Sequence, residues 1–302
     1  ARPMTPSNQY IIGADIGGST FTSAIFDSNL KCLNTSEKEN VENYCSSEDL
    51  LRALCNQITH LASLNDINME EIGGIGISCP GPLDASRGII LDTPNLIQFA
   101  NFPLVKKIEE YLNTPVFIDN DANLFSLGEW TDNYTPDLKV LVSATLGTGL
   151  GFGIVINGEI YHGSHGMAAE YGISPNGEST WEDGLAIRGL NLLSQEYFHA
   201  IHSPEVIYRL ATDGDIKALK IWAVYGIRLG IFLSQSVNML DPDIITIGGG
   251  ISHAFPYFKE SMLEEISNHS PAYNHYQINI IESRQKEHSA MLGAVKLVKS
   301  RW

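Results

Sequence analysis

A cluster of carboxylates and amides in the middle of the chain has the residue types that acid–base chemistry requires. The apolar run 115–118 predicts a short buried strand, and 124–130 predicts a helix shortly after it. Between them lie Asp119, Asn120, Asp121 and Asn123. One such residue is enough to cap a helix, and this stretch offers four. Because open α/β sheets place their chemistry where strands end in a crevice, the cluster predicts a functional site.

Three glycine turns that follow predicted strands could contact phosphate groups. Glycine allows positive φ or a close approach of backbone N–H groups to phosphate oxygens, and nearby hydroxyls add donors. One such turn is weak evidence for phosphate binding, because glycine in a turn more often serves only the backbone conformation. Three of them together are a much stronger signal. The turns are Gly17-Gly18, Gly147-Thr148-Gly149 and Gly248-Gly249-Gly250, with hydroxyls on Ser19, Thr20, Thr145 and Thr148.

The strands that position the first two turns form the same pattern twice. Three strands joined by turns are predicted over 9–15, 20–26 and 30–33, and again over 140–145, 152–156 and 159–161. This indicates an internal duplication, with two similar domains facing each other across a cleft. Asp15 ends the first strand, where it could hold Mg²⁺ or be an ordinary turn aspartate. Further helices are predicted over 47–64, 104–112, 185–198, 216–239, 255–267 and 289–298, and further strands over 73–78, 243–247 and 277–282.

Composition and charge exclude several classes of function. The chain has 302 residues, with 19 Lys and Arg against 35 Asp and Glu, and a net charge of −16. That balance, without a clustered basic run, argues against nucleic acid as a partner. No apolar stretch reaches the roughly 20 residues that a membrane span needs. The four cysteines have no close pairing, which is typical of reduced thiols in a cytoplasmic protein.

Two common nucleotide-binding motifs are absent from the sequence. No Gly-Lys-Ser or Gly-Lys-Thr occurs, so the chain has no P-loop lysine. The glycines at 147, 149, 151 and 153 alternate as in a β-hairpin and do not have the GxGxxG spacing. A P-loop kinase and a Rossmann dehydrogenase are therefore both disfavoured.

Several motifs, taken in chain order, resemble those of ROK-family sugar kinases. They are Asp15-Ile16-Gly17-Gly18-Ser19-Thr20, Asn120-Asp121-Ala122-Asn123, Leu146-Gly147-Thr148-Gly149-Leu150-Gly151 and Ile247-Gly248-Gly249-Gly250. Cys79-Pro80-Gly81-Pro82 and Thr93-Pro94-Asn95-Leu96 resemble the sugar-side loops of that family, and 165–172 resembles its Glu-x-Gly-His segment. The resemblance covers nearly the whole chain, and the ordered set is specific although the single motifs are not.

The resemblance implies an α/β fold of the actin-like ATPase (ribonuclease-H-like) type, duplicated in two domains with a central cleft. One domain would comprise 1–120 plus 288–302, and the other 121–287. The implied activity is glucokinase-like transfer of the γ-phosphate of ATP, with Mg²⁺, to a hexose, at its primary 6-hydroxyl. The implied partners are the sugar and ATP, and the implied assembly is a homodimer in the cytoplasm.

The resemblance also implies roles for individual residues. Asp121 would be the general base that takes the proton from the sugar hydroxyl, and it would itself contact the sugar. The other sugar ligands would be Asn95, Asn120, Glu170 and Glu182. The nucleotide would be held by Asp15, Gly17, Gly18, Ser19, Thr20, Thr148 and Gly149, with Gly249 and Gly250 near the adenosine. Asp15 would be the metal ligand.

The sequence departs from the family pattern in two places. Many members carry a zinc-binding cysteine cluster just after the His of the Glu-x-Gly-His segment. Here Ile173 stands at the His position and 174–181 has no cysteine, so no structural zinc is expected. The loop that carries Glu170 and Glu182 would then be held by packing, for instance through Trp181. In the first motif Thr20 stands where a lysine is frequent, so phosphate binding there would depend more on the backbone.

Other functions remain open at this point. A repressor with a winged-helix domain ahead of the kinase-like part is disfavoured, because the first strand is predicted to begin near Gln9. An N-acetylhexosamine kinase such as an N-acetylmannosamine kinase, an inactive sugar-binding or regulatory protein, and a sugar-independent actin-like ATPase are alternatives. Discrimination between hexoses depends on pocket geometry, which the sequence does not reveal.

Overall fold

The computed structural model describes residues 9–93, 96–276, 278–285 and 288–302. Within this part of the chain, contacts divide the residues into two units. The first unit runs to Asn133 and resumes at 288, and the second runs from Tyr134 to 285. Helix Asp121–Asp132 therefore groups with the first unit, whereas the sequence places a boundary after 120; that boundary stays a prediction.

The first unit is built on a mixed sheet with helices. Its strands are β1 (Tyr10–Ile16), β2 (Thr20–Asp27), β3 (Cys32–Thr35), β4 (Glu39–Asn40), β5 (Ile72–Cys79), β6 (Leu83–Asp84), β7 (Ile89–Ile90) and β8 (Val116–Asn120). The main sheet has the order β3-β2-β1-β5-β8, with β4 paired to β2, and β6 pairs with β7. β1 is antiparallel to β2 and parallel to β5, which is parallel to β8. The carboxyl ends of β1, β5 and β8 therefore share one edge of the sheet.

The helices of the first unit bring the end of the chain back to its beginning. They are α1 (Ser47–Leu64), α2 (Leu104–Leu112), α3 (Asp121–Asp132) and, near the end of the chain, α10 (Ser289–Lys299). α3 and α10 approach closely at Gly128 and Gly293, where a Cβ atom on either would meet the backbone of the other helix. Glycine at this crossing lets α10 hold α3, the helix that begins at the carboxylate cluster.

The second unit repeats the pattern of two antiparallel strands followed by parallel ones. Its strands are β9 (Val140–Leu146), β10 (Leu150–Ile156), β11 (Glu159–Ile160), β12 (Pro175–Asn176), β13 (Ser179–Thr180), β14 (Ile244–Gly248) and β15 (Asn279–Glu282). The sheet order is β11-β10-β9-β14-β15, with β14 parallel to both β9 and β15. The helices are α4 (Trp181–Leu185), α5 (Ile187–Phe198), α6 (Pro204–Thr212), α7 (Ile216–Leu240), α8 (Phe255–His269) and α9 (Pro271–Tyr276). α7 and α8 pack against each other around fully buried aromatic side chains, among them Trp222 and Phe258.

The structure differs from the sequence predictions at several elements. Helix α3 begins at Asp121, earlier than the predicted 124, because Asn120 caps it. Helix α6 was not predicted, although Ser203 at its N-cap and Pro204 at its first position are start signals. In the described residues, no helix is both long enough and apolar enough to span a membrane.

Candidate active site

A row of oxygen-bearing side chains lies at the carboxyl ends of three neighbouring parallel strands. Asp15 on β1 is in register with Ser78 on β5, and Ser78 is in register with Asp119 on β8. Ser78 and Asp119 are buried, whereas Asp15 is half-buried. The hydroxyl oxygen of Ser78 has no hydrogen-bond partner within the described part of the chain. The order of the strands thus joins two carboxylates and a hydroxyl that are far apart in sequence.

Asp119 and Asn120 organise the first turn of helix α3. Asp119 Oδ1 accepts hydrogen bonds from the backbone N–H of Asn120 at 2.8 Å and from Asn123 Nδ2 at 2.9 Å. Asn120 Oδ1 accepts from the backbone N–H of Asn123 at 2.7 Å. The capping interpretation therefore holds for Asn120, but only its carbonyl oxygen is used in this bond. Its side-chain NH₂ can still donate to a ligand.

Asp121 is the first residue of α3 and is exposed to solvent. Its Oδ1 accepts a hydrogen bond from the backbone N–H of Ala122 at 2.8 Å. A carboxylate at a helix N-terminus is favoured by the helix dipole. Asp121 is thus an accessible carboxylate on a rigid helix start, which is the arrangement a general base needs.

The buried thiol of Cys79 is affected by the charges of three aspartates. Cys79 is the last residue of β5 and is fully buried. Burial raises its pKa well above the usual value, and the charges of Asp121, Asp119 and Asp15 raise the pKa further, in that order. All three carboxylates therefore act on one buried atom. The sequence suggested a reduced thiol here but gave no sign of this position.

The two loops that resemble sugar-side loops are joined in the first unit. The Thr93 hydroxyl donates to the Gly81 carbonyl at 3.0 Å, and the backbone N–H of Leu91 donates to the Pro82 carbonyl at 3.0 Å. Asn95, which was predicted to hold a sugar hydroxyl, lies outside the described residues.

The first glycine turn connects β1 and β2 and is held by backbone groups. The N–H of Gly17 donates to the Thr20 carbonyl, and the N–H of Val41 donates to the Ser19 carbonyl, both at 2.8 Å. Gly18 and Ser19 are exposed, and Gly17 and Thr20 are half-buried. Neither glycine has a positive φ, so that part of the expectation is wrong for this turn. The contact with Val41 had no signal in the sequence.

The second glycine turn connects β9 and β10 and is held partly by a side chain. The N–H of Gly147 donates to the Gly149 carbonyl at 3.0 Å, and the N–H of Ile187 donates to the Gly147 carbonyl at 2.9 Å. The backbone N–H of Leu150 donates to Glu182 Oε2 at 2.9 Å. Thr148 at the tip is exposed. Glu182, predicted as a sugar ligand, therefore lies directly on the predicted phosphate turn.

The third glycine segment follows β14 beside the second turn. Gly249 has a φ of 84°, and a Cβ atom there would collide with the backbone of Leu146, the residue before the second turn. A Cβ atom on Gly250 would meet nothing within 4 Å. Both glycines are exposed. The second unit thus brings Thr148, Gly149 and Gly249 into one neighbourhood.

Glu170 begins a short 3-10 helix, Glu170–Ile173, that packs on β10. The pKa of Glu170 is raised, first by burial of the carboxyl group and second by the negative charge of Glu182. The residue as a whole is exposed to solvent. The two predicted sugar-binding glutamates of this unit are therefore close enough to repel each other.

An aromatic cluster fixes both ends of the loop that carries these glutamates. Tyr171 stacks on Phe232 with ring centroids 4.4 Å apart, and its hydroxyl donates to Gln235 Oε1 at 2.5 Å. Trp181 is 5 % exposed and contacts Phe232 edge-on at 5.5 Å. The predicted role of Trp181 in packing this loop is confirmed.

A small hairpin, β12–β13, occupies the loop where many family members carry zinc ligands. It leads into Thr180, which caps α4 through reciprocal hydrogen bonds with Asp183. Ile173, at the position of the missing His, is 61 % exposed. The described part of the chain contains no group of three or more His, Cys, Asp or Glu side chains arranged to hold a metal.

A surface hollow of about 610 Å³ lies elsewhere in the first unit. Within it, Glu39 accepts hydrogen bonds from the Tyr44 hydroxyl at 2.6 Å and from Gln57 Nε2 at 2.9 Å. Its lining contains none of the predicted site residues.

Comparisons with known proteins match these features along the chain. The ROK family profile matches residues 11–301. The glucokinase of Thermotoga maritima is 28 % identical over 96 % of this chain and 98 % of its own length. The N-acetyl-D-glucosamine kinase of Histophilus somni is 30 % identical over 85 % of this chain and 88 % of its own. The crystal structure of the ROK hexokinase from Thermus thermophilus superposes with a TM-score of 0.81 at 25 % identity, covering 95 % of this chain and 97 % of that one. The predicted α/β two-domain fold of the actin-like type is confirmed by this likeness.

Proposed function

The chain belongs to the ROK family, and from this premise we propose that it is an ATP-dependent sugar kinase. It transfers the γ-phosphate of ATP to a hexose, as a glucokinase does, at the primary 6-hydroxyl. Among the relatives at 28–30 % identity are a glucokinase and an N-acetyl-D-glucosamine kinase, which supports the reaction class. As the family resemblance implies, we further propose a homodimer in the cytoplasm.

The observation that carries this proposal is the position of Asp121. Its carboxylate is exposed at the start of α3, and two more carboxylates lie at the ends of β1 and β8, the strands on either side of β5. Phosphoryl transfer needs mainly positioning and charge stabilisation, with one carboxylate to take the hydroxyl proton. In the proposed mechanism, Asp121 accepts the proton of the attacking sugar hydroxyl. Asp119 and Asn120 keep Asp121 in place by fixing the first turn of the helix.

The remaining site residues divide into a sugar set and a nucleotide set. A sugar requires fixed donors and acceptors around its hydroxyls, which amide and carboxylate side chains supply. The proposed sugar ligands are Asn95, Asn120, Glu170 and Glu182. The proposed nucleotide ligands are Gly17, Gly18, Ser19, Thr20, Thr148, Gly149, Gly249 and Gly250.

Magnesium fits the donors at the ends of the strands. Mg²⁺ in kinases is usually held by one or two carboxylates together with phosphate oxygens and water, so a complete protein cage is not needed. Asp15 is a half-buried carboxylate, and the Ser78 hydroxyl beside it has no partner among the described residues. We propose Asp15 as the metal-binding residue. When bound, the ion supplies neutralisation of the charge on the phosphates.

An N-acetylhexosamine is a second candidate substrate. The relative from Histophilus somni, at 30 % identity, is named an N-acetyl-D-glucosamine kinase. An inactive sugar-binding protein is less well supported, because Asp15, Asp121 and the glycine turns are all present.

A coupled assay of ADP release tests the proposed activity. It is run with glucose, mannose, allose, fructose, N-acetylglucosamine and N-acetylmannosamine, and without sugar. We expect ADP release that depends on one of these sugars. We expect the Asp121→Asn variant to lose about 10²–10⁴-fold in kcat, while a surface control, Asp137→Asn, keeps full activity. If no sugar stimulates turnover, the protein is a binding module; if ADP appears equally without sugar, it is an ATPase.

A further inference from the structure

The carboxylate of Glu182 lies against the backbone of the second glycine turn. Its Oε2 accepts the backbone N–H of Leu150 at 2.9 Å, and the same oxygen would be 2.9 Å from a Cβ atom at Gly149. Glycine at 149 is therefore what allows the carboxylate to sit so close to the turn. The hydrogen bond joins residues 32 positions apart, so it connects two separate elements.

Glu182 is presented by a rigid part of the second unit. It is the second residue of α4, whose start is fixed by the Thr180–Asp183 capping box and by the buried Trp181. The residue after the C-cap of α4, Ile187, donates its N–H to the Gly147 carbonyl at 2.9 Å. The α4 segment therefore holds both ends of the turn, one through a backbone group and one through a side chain.

We propose that Glu182 is a positioning residue for the nucleotide, and that it couples the sugar site to the nucleotide site by holding the glycine turn of β9–β10. This rests on the proposed kinase function, in which the same carboxylate accepts a sugar hydroxyl. The contact with the turn uses Oε2, and in the proposed coupling Oε1 accepts the sugar hydroxyl. A sugar hydroxyl bound to Glu182 fixes the side chain in the conformation that orders the turn. The nucleotide then binds to a turn that is already ordered.

The neighbouring carboxylate of Glu170 explains why sugar binding should strengthen, and not weaken, nucleotide binding. Glu170 lies near enough to Glu182 for their charges to repel, and repulsion favours movement of either side chain away from the other. Two sugar hydroxyls, one donating to each carboxylate, offset part of that repulsion. Sugar binding thus strengthens the hold of Glu182 on the turn, and nucleotide binding strengthens sugar binding by the same factor.

The affinity for a non-hydrolysable ATP analogue with Mg²⁺, measured by calorimetry without sugar, tests the role of Glu182. Glu182→Ala and Glu182→Asp are each expected to bind about tenfold more weakly, since a hydrogen bond to a charged group is lost. Aspartate keeps the charge but is shorter by about 1.5 Å, so it does not reach the Leu150 N–H. Glu182→Gln keeps an oxygen at the same reach but makes the acceptor neutral, so it is expected to lose no more than about fivefold, less than the Ala or Asp variant.

Two controls separate the turn contact from sugar binding and from charge. Glu170→Ala removes the other predicted sugar ligand of this unit together with its repulsion of Glu182, so nucleotide affinity without sugar is expected to equal or exceed that of wild type and not to fall. Glu178→Ala removes an exposed charge from the same loop and is expected to have no effect. The titration is then repeated with a saturating sugar substrate. Under these conditions we expect the wild type to gain affinity for the nucleotide, whereas Glu182→Asp does not.

The outcomes distinguish this inference from the proposed function. If wild type phosphorylates a sugar but Glu182→Asp binds nucleotide as tightly as Glu178→Ala does, the inference is wrong and the kinase function stands. If wild type shows neither sugar-dependent ADP release nor nucleotide binding, the proposed function itself fails. If Glu182→Ala does not fold, as judged by circular dichroism, the inference is still tested by the Asp and Gln variants, because the Asp variant is expected to bind the nucleotide more weakly than the Gln variant.

Discussion

The buried hydrogen bonds of Asp119 are expected to hold helix α3, and the substitution Asp119→Asn tests this. Oδ1 of this carboxylate accepts two hydrogen bonds, at 2.8 and 2.9 Å, and the residue is 2 % exposed. Asparagine keeps the shape and one acceptor oxygen but removes the charge. A hydrogen bond to a charged group stabilises a protein by about 1 kcal/mol more than a neutral one. Because Asp119→Asn makes both hydrogen bonds neutral, the first turn of α3 is expected to lose about 2 kcal/mol of stabilisation. A loss of this size raises the equilibrium constant for local opening of α3 about thirtyfold.

The chain offers a matched control for this prediction. Asp27 also accepts two backbone hydrogen bonds through Oδ1, at 2.8 and 2.9 Å, but both are exposed to solvent. Water can replace the hydrogen bonds that Asp27→Asn weakens, so we expect this substitution to lower the stability by about 0.5 kcal/mol or less.

Amide hydrogen exchange followed by mass spectrometry measures the effect locally. Peptides from 121–132 should lose about thirtyfold in protection in Asp119→Asn, while peptides from α7 in the other unit stay unchanged. The kcat for sugar phosphorylation should fall as well, because Asp121 begins the loosened turn. Unchanged protection of α3, or a loss equal to that of Asp27→Asn, would refute the reasoning.

Three further predictions concern a thiol, a backbone position and a titration. Cys79, buried and with its pKa raised, should stay unmodified by iodoacetamide at pH 7 under conditions in which exposed Cys45 is fully alkylated, as read by mass spectrometry. Gly249→Ala should lower the free energy of unfolding by about 1–3 kcal/mol and weaken nucleotide binding, whereas Gly250→Ala, with open space around its Cβ, should be neutral for stability in urea denaturation. The raised pKa of Glu170 means that its carboxylate is lost on acidification at a higher pH than an ordinary glutamate, so kcat/KM for the sugar should begin to fall above the usual value of 4.5. The same shift stabilises the fold below pH 4.5 and is lost as the pH rises through the raised pKa, so Glu170→Gln should remove this pH dependence from both measurements.

The sequence predicted the elements that local patterns determine. Apolar runs predicted the main strands, and the spacing of apolar residues predicted helices such as 216–239, which the structure extends by one residue. It missed α6, whose Ser203 cap and Pro204 start were present but were not used. It placed Asp121 between the strand and the helix, because a helix that begins inside a polar cluster shows no apolar periodicity there.

Contacts between segments that are far apart in the chain could not be predicted from the sequence, for a physical reason. The row Asp15, Ser78 and Asp119 depends on the strand order β1-β5-β8, and nothing in one chain's local pattern specifies which strands become neighbours. The Leu150–Glu182 bond likewise forms only after α4 packs against β10. The sequence therefore supplied the residue types of the site but not their arrangement.

The two predicted phosphate turns look equivalent in sequence, yet the structure holds them by different means. The first is held by hydrogen bonds between backbone groups, among them the one from the Val41 N–H to the Ser19 carbonyl. The second is held by backbone hydrogen bonds and, in addition, by the Glu182 carboxylate, a side chain that lies close to the charge of Glu170. A turn fixed by its backbone is preorganised whether or not ligand is present, whereas a turn fixed by a side chain is ordered only as far as that side chain is. A duplicated pattern thus provides one constant turn and one adjustable turn, and the adjustable one depends on a residue that also belongs to the predicted sugar site.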